Sequence, residues 1–282
     1  MLIDTRGQSM VAMVGRRAIV AAGFAVISAG AFASSEVATY RLQQSLAADQ
    51  GSAPALTAVN GGSFVVDPNV LGQSRTVYSR FTSNGATSSA QSALRLDTSS
   101  LGLTANNYAV EIVFTFTDTF DPRAANYRRV VDSFDPSSLQ DPGFYVGPPG
   151  NELNIYQGGP HAGGPSLVDG TYYDVVLSVS PTGERAFLNG SLATSYSGTP
   201  DAIVSHYLTF FQDETFEYGN GKVALIRVFD GGLSDAQVLA LNNGGNPFPA
   251  AIPEPQTVSL FGAGIIFLAG FFGARRRRST IS

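Results

Sequence analysis

The sequence contains no cysteine and no tryptophan. Without cysteine there is no disulfide framework, no thiolate zinc site and no cysteine nucleophile. A chain without them is held together by packing alone, which calls for a core of ordinary domain size. Charge is scarce too: 14% of the residues are charged, against roughly 25% in an ordinary soluble domain. Basic residues are scarcest in the middle, where residues 34 to 252 hold ten Arg and Lys against twenty Asp and Glu, a net of −10. That balance excludes nucleic acid, which binds to a basic footprint. The two histidines, His161 and His206, stand apart and form no His-Glu-x-x-His zinc pattern. No Gly-x-Ser-x-Gly elbow and no phosphate-binding glycine loop occurs.

Glycine (31), proline (15), phenylalanine (19) and tyrosine (11) are what the 282 residues do contain. This mixture suits short strands joined by tight turns, in one large β domain or two small ones. Alternating or β-branched runs recur from Val37–Leu42 to Lys222–Phe229. In Tyr108–Thr117, Val110, Ile112, Phe114 and Phe116 share one face. Tyr172–Val179 turns at Pro181–Glu184 and returns as Arg185–Leu188, a hairpin, and Asn189-Gly190 is a second turn. Only one segment reads as helix: Ser234 with Gln237 forms a capping box, and Asn243-Gly244-Gly245 is the stop. About a dozen short strands without an internal repeat imply an all-β sandwich over residues 34–245 with one short C-terminal α-helix. Residues 246–256, with four prolines, read as a linker.

The ends differ from the body. Arg16-Arg17 precede an uncharged run that closes in Ala31-Phe32-Ala33. This is the basic, apolar and small-residue order of a secretory signal peptide over residues 1–33, with Ala31 and Ala33 as the cleavage-site pair. The run is too short to span a bilayer comfortably. Near the C-terminus, Pro253-Glu254-Pro255 precede an uncharged stretch, 257–274, followed by Arg275, Arg276, Arg277 and Arg278. The stretch is near the lower limit for a transmembrane helix. The arginines keep residues 275–282 cytoplasmic and place the body on the far side.

Pro-Glu-Pro, an apolar span and a terminal arginine cluster, in that order, resemble the PEP-CTERM sorting signal of Gram-negative, exopolysaccharide-producing bacteria. The resemblance implies recognition by an integral-membrane exosortase, export through the inner membrane as an anchored precursor, and sorting to the cell envelope or extracellular matrix. It is silent on what the body does.

The order of elements in the body resembles the laminin-G-like (LamG), concanavalin-A-like jelly roll. The specific stretch is Gly221-Lys-Val-Ala-Leu-Ile-Arg-Val-Phe-Asp-Gly-Gly-Leu-Ser234, a closing strand, an aromatic-Asp-Gly turn and a capped helix. Laminarinase-like hydrolases of this fold carry paired strand carboxylates; the nearest approach here, Asp213-Glu214-Thr-Phe-Glu217, has the wrong order and spacing. Domains of the laminin-G-like kind often hold a rim calcium, so Asp213 and Glu214 are candidate calcium ligands, with Asp132 or Asp135 as partners; the alternative is a solvated acidic loop. His161, in Gly-Gly-Pro-His-Ala-Gly-Gly, is expected in a solvated loop. The expected function is a non-catalytic binding or structural module recognising glycan or envelope protein, with exopolysaccharide one such partner. The alternative is a glycan-active hydrolase or lyase on the same sandwich.

Overall fold

Nine residues, Tyr108–Phe116, are buried from end to end. The run alternates, which predicts one dry face; burial of the other as well requires a second layer on the far side of its sheet. The computed structural model describes residues 34–82, 88–118, 127–133, 143–200, 202–203, 206–213 and 217–248. Residues 1–33, expected as a signal peptide, lie outside them, as do Glu214, Asp135 and the whole sorting tail.

Among the described residues, fifteen strands form two antiparallel sheets. In chain order they are β1 (Glu36–Tyr40), β2 (Thr57–Val59), β3 (Ser63–Val70), β4 (Gln73–Arg80), β5 (Ala93–Asp97), β6 (Tyr108–Phe116), β7 (Arg128–Asp132) and β8 (Gly143–Gly147). They continue as β9 (Glu152–Tyr156), β10 (Pro160–Gly163), β11 (Tyr173–Ser180), β12 (Gly183–Leu188), β13 (Ser191–Ser197), β14 (Tyr207–Phe210) and β15 (Gly221–Phe229), followed by helix α1 (Asp235–Asn242). The eight-stranded sheet runs β13-β12-β11-β6-β15-β4-β3, and the seven-stranded sheet β10-β9-β8-β7-β14-β5-β2. β1 pairs with the C-terminal half of β15, on the edge that β4 pairs with further back, so the first and last strands close the fold together.

The main core lies between the sheets, where Ile112, Phe114 and Phe116 of one meet Leu94, Leu96, Phe144 and Ile155 of the other. A second layer covers the outside of the eight-stranded sheet. Val238 of α1, with Leu233 just before its cap, packs over Ala109, Val176 and Phe187. Its capping box forms as the sequence implies, with Ser234 and Gln237 exchanging bonds, and Asn243 closes the helix in the left-handed conformation.

Three strands escape the sequence pattern. β2 is three residues long and β10 opens with a proline at a sheet edge. β4 carries two arginines, and Arg80 points into the sandwich, its guanidinium 3.8 Å from the centre of the Phe211 ring. Burial pushes Arg80 down to about 9. The boundary at 245 also moves. Asn246–Phe248, expected as the start of a linker, pack onto the eight-stranded sheet, and Phe248 is buried against Val77, Val113 and Leu225.

Candidate functional site

β8 has the sequence Gly-Phe-Tyr-Val-Gly. Phe144 and Val146 point into the core, so Gly143, Tyr145 and Gly147 share the outer face of the seven-stranded sheet. The glycines matter because neighbours lie directly on them. A Cβ at Gly143 would collide with the Arg129 guanidinium, and one at Gly147 with the Tyr127 ring. Tyr145 therefore stands in a slot cleared on both sides.

Two neighbours complete an aromatic cluster. Tyr127, Tyr145 and Tyr156 meet edge to face, with ring centres 5.5 Å (127–145), 5.6 Å (127–156) and 6.2 Å (145–156) apart. These are favourable aromatic geometries, each worth about 0.5–1.5 kcal/mol beyond area burial. Tyr145 is the buried base of the cluster, while Tyr127 and Tyr156 keep part of their surface open.

A register shift between Arg129 and Val131 shapes the polar part of this face. The bulge sends both Val130 and Val131 inward, so Arg129 and Asp132 both face outward. Arg129 pairs across with Tyr145 and stacks its guanidinium 4.0 Å from that ring centre. Its Nε donates to Asp213 Oδ2, and both side chains are almost fully buried. Burial would lower the Arg129 pKa, but Asp213, with Tyr145 and Asp132, holds it above the ordinary value. The guanidinium is thus a fixed charge. On the other side of Tyr145, its cross-strand neighbour Asn154 on β9 is wholly buried, accepts from the His161 amide at 3.0 Å through Oδ1 and leaves Nδ2 without a partner.

Asp213 belongs to this face rather than to a solvated loop. Its backbone amide donates to Gln91 Oε1 at 2.7 Å, and its carboxylate neutralises Arg129. A carboxylate tied to a buried guanidinium is a poor calcium ligand, because a hard cation needs that oxygen charge for itself. Among the described residues, no three His, Asp or Glu side chains are grouped to hold a metal. Asp132 lies on the same face, opposite Thr209. His161 is not in a loop: it sits in β10, its ring 4.9 Å from that of Tyr196, because a fourth strand pairs outside β9. Gly143 and Gly147, two residues either side of a tyrosine, are the signal that sequence reading passed over. A separate pocket of about 210 Å³, lined by Thr98, Ser99, Leu103, Ala105, Ile203 and His206, is below the ~300–1,000 Å³ of ordinary ligand sites.

Residues 251–278 match the PEP-CTERM protein-sorting motif. The chain thus carries an exported-protein sorting signal at the position where Pro253–Pro255 and Arg275–Arg278 stand. No helix among the described residues is long and apolar enough to cross a membrane; the apolar stretch 257–274 lies outside them. No curated protein matches the chain. Among solved structures, the sandwich is similar to domain 4 of AbnA, a GH43 extracellular arabinanase from Geobacillus stearothermophilus, in complex with arabinotriose. That likeness has a TM-score of 0.53 at 17% identity, over 74% of this chain and 98% of that one. It is similar to a structure of botulinum neurotoxin type C, whose cell entry depends on interaction with two ganglioside molecules (TM-score 0.52, 11% identity, 74% of this chain, 51% of that one). It is similar as well to the binding domain of Paraclostridial Mosquitocidal Protein 1 (TM-score 0.52, 10% identity, 74% and 52%). The chain spans about half of both toxin structures. At these identities the likeness shows the fold.

Proposed function

We propose that the body is a laminin-G-like, non-catalytic glycan-binding module, exported and sorted to the envelope or matrix by its C-terminal signal after recognition by an exosortase. The observation that carries the reading is the tyrosine cluster built around Tyr145 of the glycine-cleared strand. Tyr127 and Tyr156 offer partly open aromatic surface with phenolic hydroxyls at its edge, and Tyr145 with Arg129 holds them rigid. Apolar ring faces edged by hydrogen-bonding groups suit sugars, which present C–H faces and hydroxyl rims. The same geometry argues against Asp213 as a general acid or base: such a group must be free to reach the substrate's proton, whereas Asp213 is buried and committed to Arg129. The arabinotriose of the arabinanase domain and the gangliosides of the neurotoxin support a sugar ligand as analogy only.

The test is calorimetric titration of residues 34–248 with the exopolysaccharide of the producing organism. Tyr156→Ala and Tyr127→Ala are each expected to weaken binding about tenfold, the order of one lost aromatic contact. Binding unchanged in both variants would remove the platform. Release of new reducing ends during incubation would replace the binding reading with the glycan-active one.

A further inference from the structure

We infer that the sorting tail leaves from the outer face of the eight-stranded sheet, so that in the uncleaved precursor the tyrosine platform faces away from the bilayer. The inference rests on the sorting reading for what the tail does; the exit point rests on three residues that pack on the sandwich.

Helix α1 does not run into a free linker. Asn243, Gly244 and Gly245 all take positive φ and turn the chain back, with the Gly245 amide donating to Asn242 O at 2.9 Å. Gln73 Nε2 then donates to Asn246 Oδ1 at 3.0 Å. Pro247 O accepts from Arg227 Nη2. Phe248 inserts among Val70, Val77, Val113 and Leu225, and the Arg75 guanidinium lies 3.7 Å over its ring centre. Val77, Val113 and Leu225 are the outward residues of β4, β6 and β15, whose inward neighbours Tyr78, Ile112, Phe114 and Ile226 belong to the main core. The clasp therefore lies on the face opposite the platform. It is anchored from beneath as well, since Arg227 is ion-paired with the fully buried Glu111.

Chain length turns the clasp into an orientation. Thr257, where the apolar stretch begins, lies nine positions beyond Phe248. Fully extended, that span reaches at most about 32 Å. A bilayer laid against the platform is met only after the tail has passed over edge strand β3, where Phe248 packs on Val70, and down the flank of the sandwich. That path is one or two strands at ~4.8 Å each and a depth of roughly 20 Å with side chains, about 25–30 Å in all. It consumes nearly the whole reach of a fully extended tail, whereas a bilayer on the clasped side leaves the tail slack, so chain entropy favours the clasped side.

The chain contains no tryptophan, which supplies a clean probe. Val65→Trp, beside the clasp, and Tyr156→Trp, on the platform, are placed singly in the full-length chain. Each is reconstituted in lipid nanodiscs carrying a head-group nitroxide quencher. Fluorescence of the Val65→Trp variant is expected to be quenched several-fold more strongly. Adding Phe248→Ala with Arg75→Ala, which releases the clasp and lengthens the tether, is expected to narrow the difference. Equal quenching with the clasp intact, or stronger quenching at position 156, would overturn the inference. Disc flotation reads the anchor separately: a full-length chain that fails to float with the discs would overturn the sorting reading, and the orientation with it.

Discussion

Each outer face of the sandwich buries an arginine among carboxylates, yet the two surroundings differ. On the eight-stranded sheet, Arg227 is ion-paired with Glu111, lies 3.8 Å from a Glu36 oxygen and donates to the carbonyl of Pro247. Helix α1 and the clasp roof that cluster, and Asn242 adds a 2.9 Å bond to Asp174. On the seven-stranded sheet, Arg129 is paired with Asp213 but stacks on Tyr145 beneath two partly open tyrosines. Both arrangements obey the rule that a buried charge needs a partner. The first uses its charges to fasten the chain's own C-terminal segment; the second uses them to stiffen an aromatic surface. A buried ion pair is thus equally compatible with structure and with binding, and what lies above it distinguishes the two.

The largest effect expected from breaking this comparison is at Asp213. Asp213→Ala leaves Arg129 buried without its counter-ion and should destabilise the body by about 3–5 kcal/mol in urea unfolding. Combining Arg129→Met with Asp213→Leu should recover most of the loss, since well-packed apolar replacements of buried pairs are often neutral. If Asp213 were instead held for a metal, the loss would appear only in the presence of millimolar calcium; it is expected to be the same with calcium and with chelator.

The second is at Phe248, where truncation to alanine should cost about 3 kcal/mol, the lower end for a buried aromatic because the site lies at the periphery. Chemical denaturation of residues 34–248 reads it directly. A loss under about 0.5 kcal/mol, the scale of ordinary surface substitutions, would mean that the clasp is not held in solution.

The third is a pH dependence confined to the clasped face. Burial, and then the neighbouring Asp174, push Glu111 well above the ordinary carboxylate range, with Arg227 opposing; burial likewise raises Asp174. The folded cluster therefore keeps a proton that the unfolded chain releases above about pH 4.5. Its contribution to stability is greatest below that pH and is lost as pH rises toward the raised value, by roughly 1.4 kcal/mol for each pH unit between the two. Glu111→Gln should flatten this slope above about pH 4.5. A wild-type slope that the substitution leaves unchanged would place the proton elsewhere.

The smallest effect concerns the roof. Ser234→Ala removes the cap that accepts from the Gln237 amide and should cost about 1 kcal/mol. It should leave ligand binding at the opposite face unaltered, which the calorimetric titration can check in the same samples.

What was legible in the sequence was what local pattern encodes. β6, β11, β12 and β15 announce themselves by alternation, and α1 by a cap at Ser234 and a stop at Asn243. β4 is hidden because its alternation is interrupted by Arg75 and Arg80, whose apolar partners, Phe248 and Phe211, lie far along the chain. Asp213 is visible as an acidic residue before the last strand, but its meaning is not, since Arg129 reaches it only through sheet pairing. The same holds for the platform: Tyr127, Tyr145 and Tyr156 lie on three separate segments and read individually as strand aromatics.

By itself the sequence determined the sorting signal: an acidic body without cysteine, and an apolar tail closed by four arginines after Pro253–Pro255, are composition facts that act without folding. It also determined the class of fold, because period-2 runs separated by turns have few other solutions. Tertiary structure alone decided which outward residues are covered and by what. The bulge at Val130 and the clearings at Gly143 and Gly147 turn tyrosines into a platform on one sheet, and the docking of Phe248 closes the other. These depend on contacts between residues distant in the chain, whose pairing is set by strand order and register rather than by any local pattern.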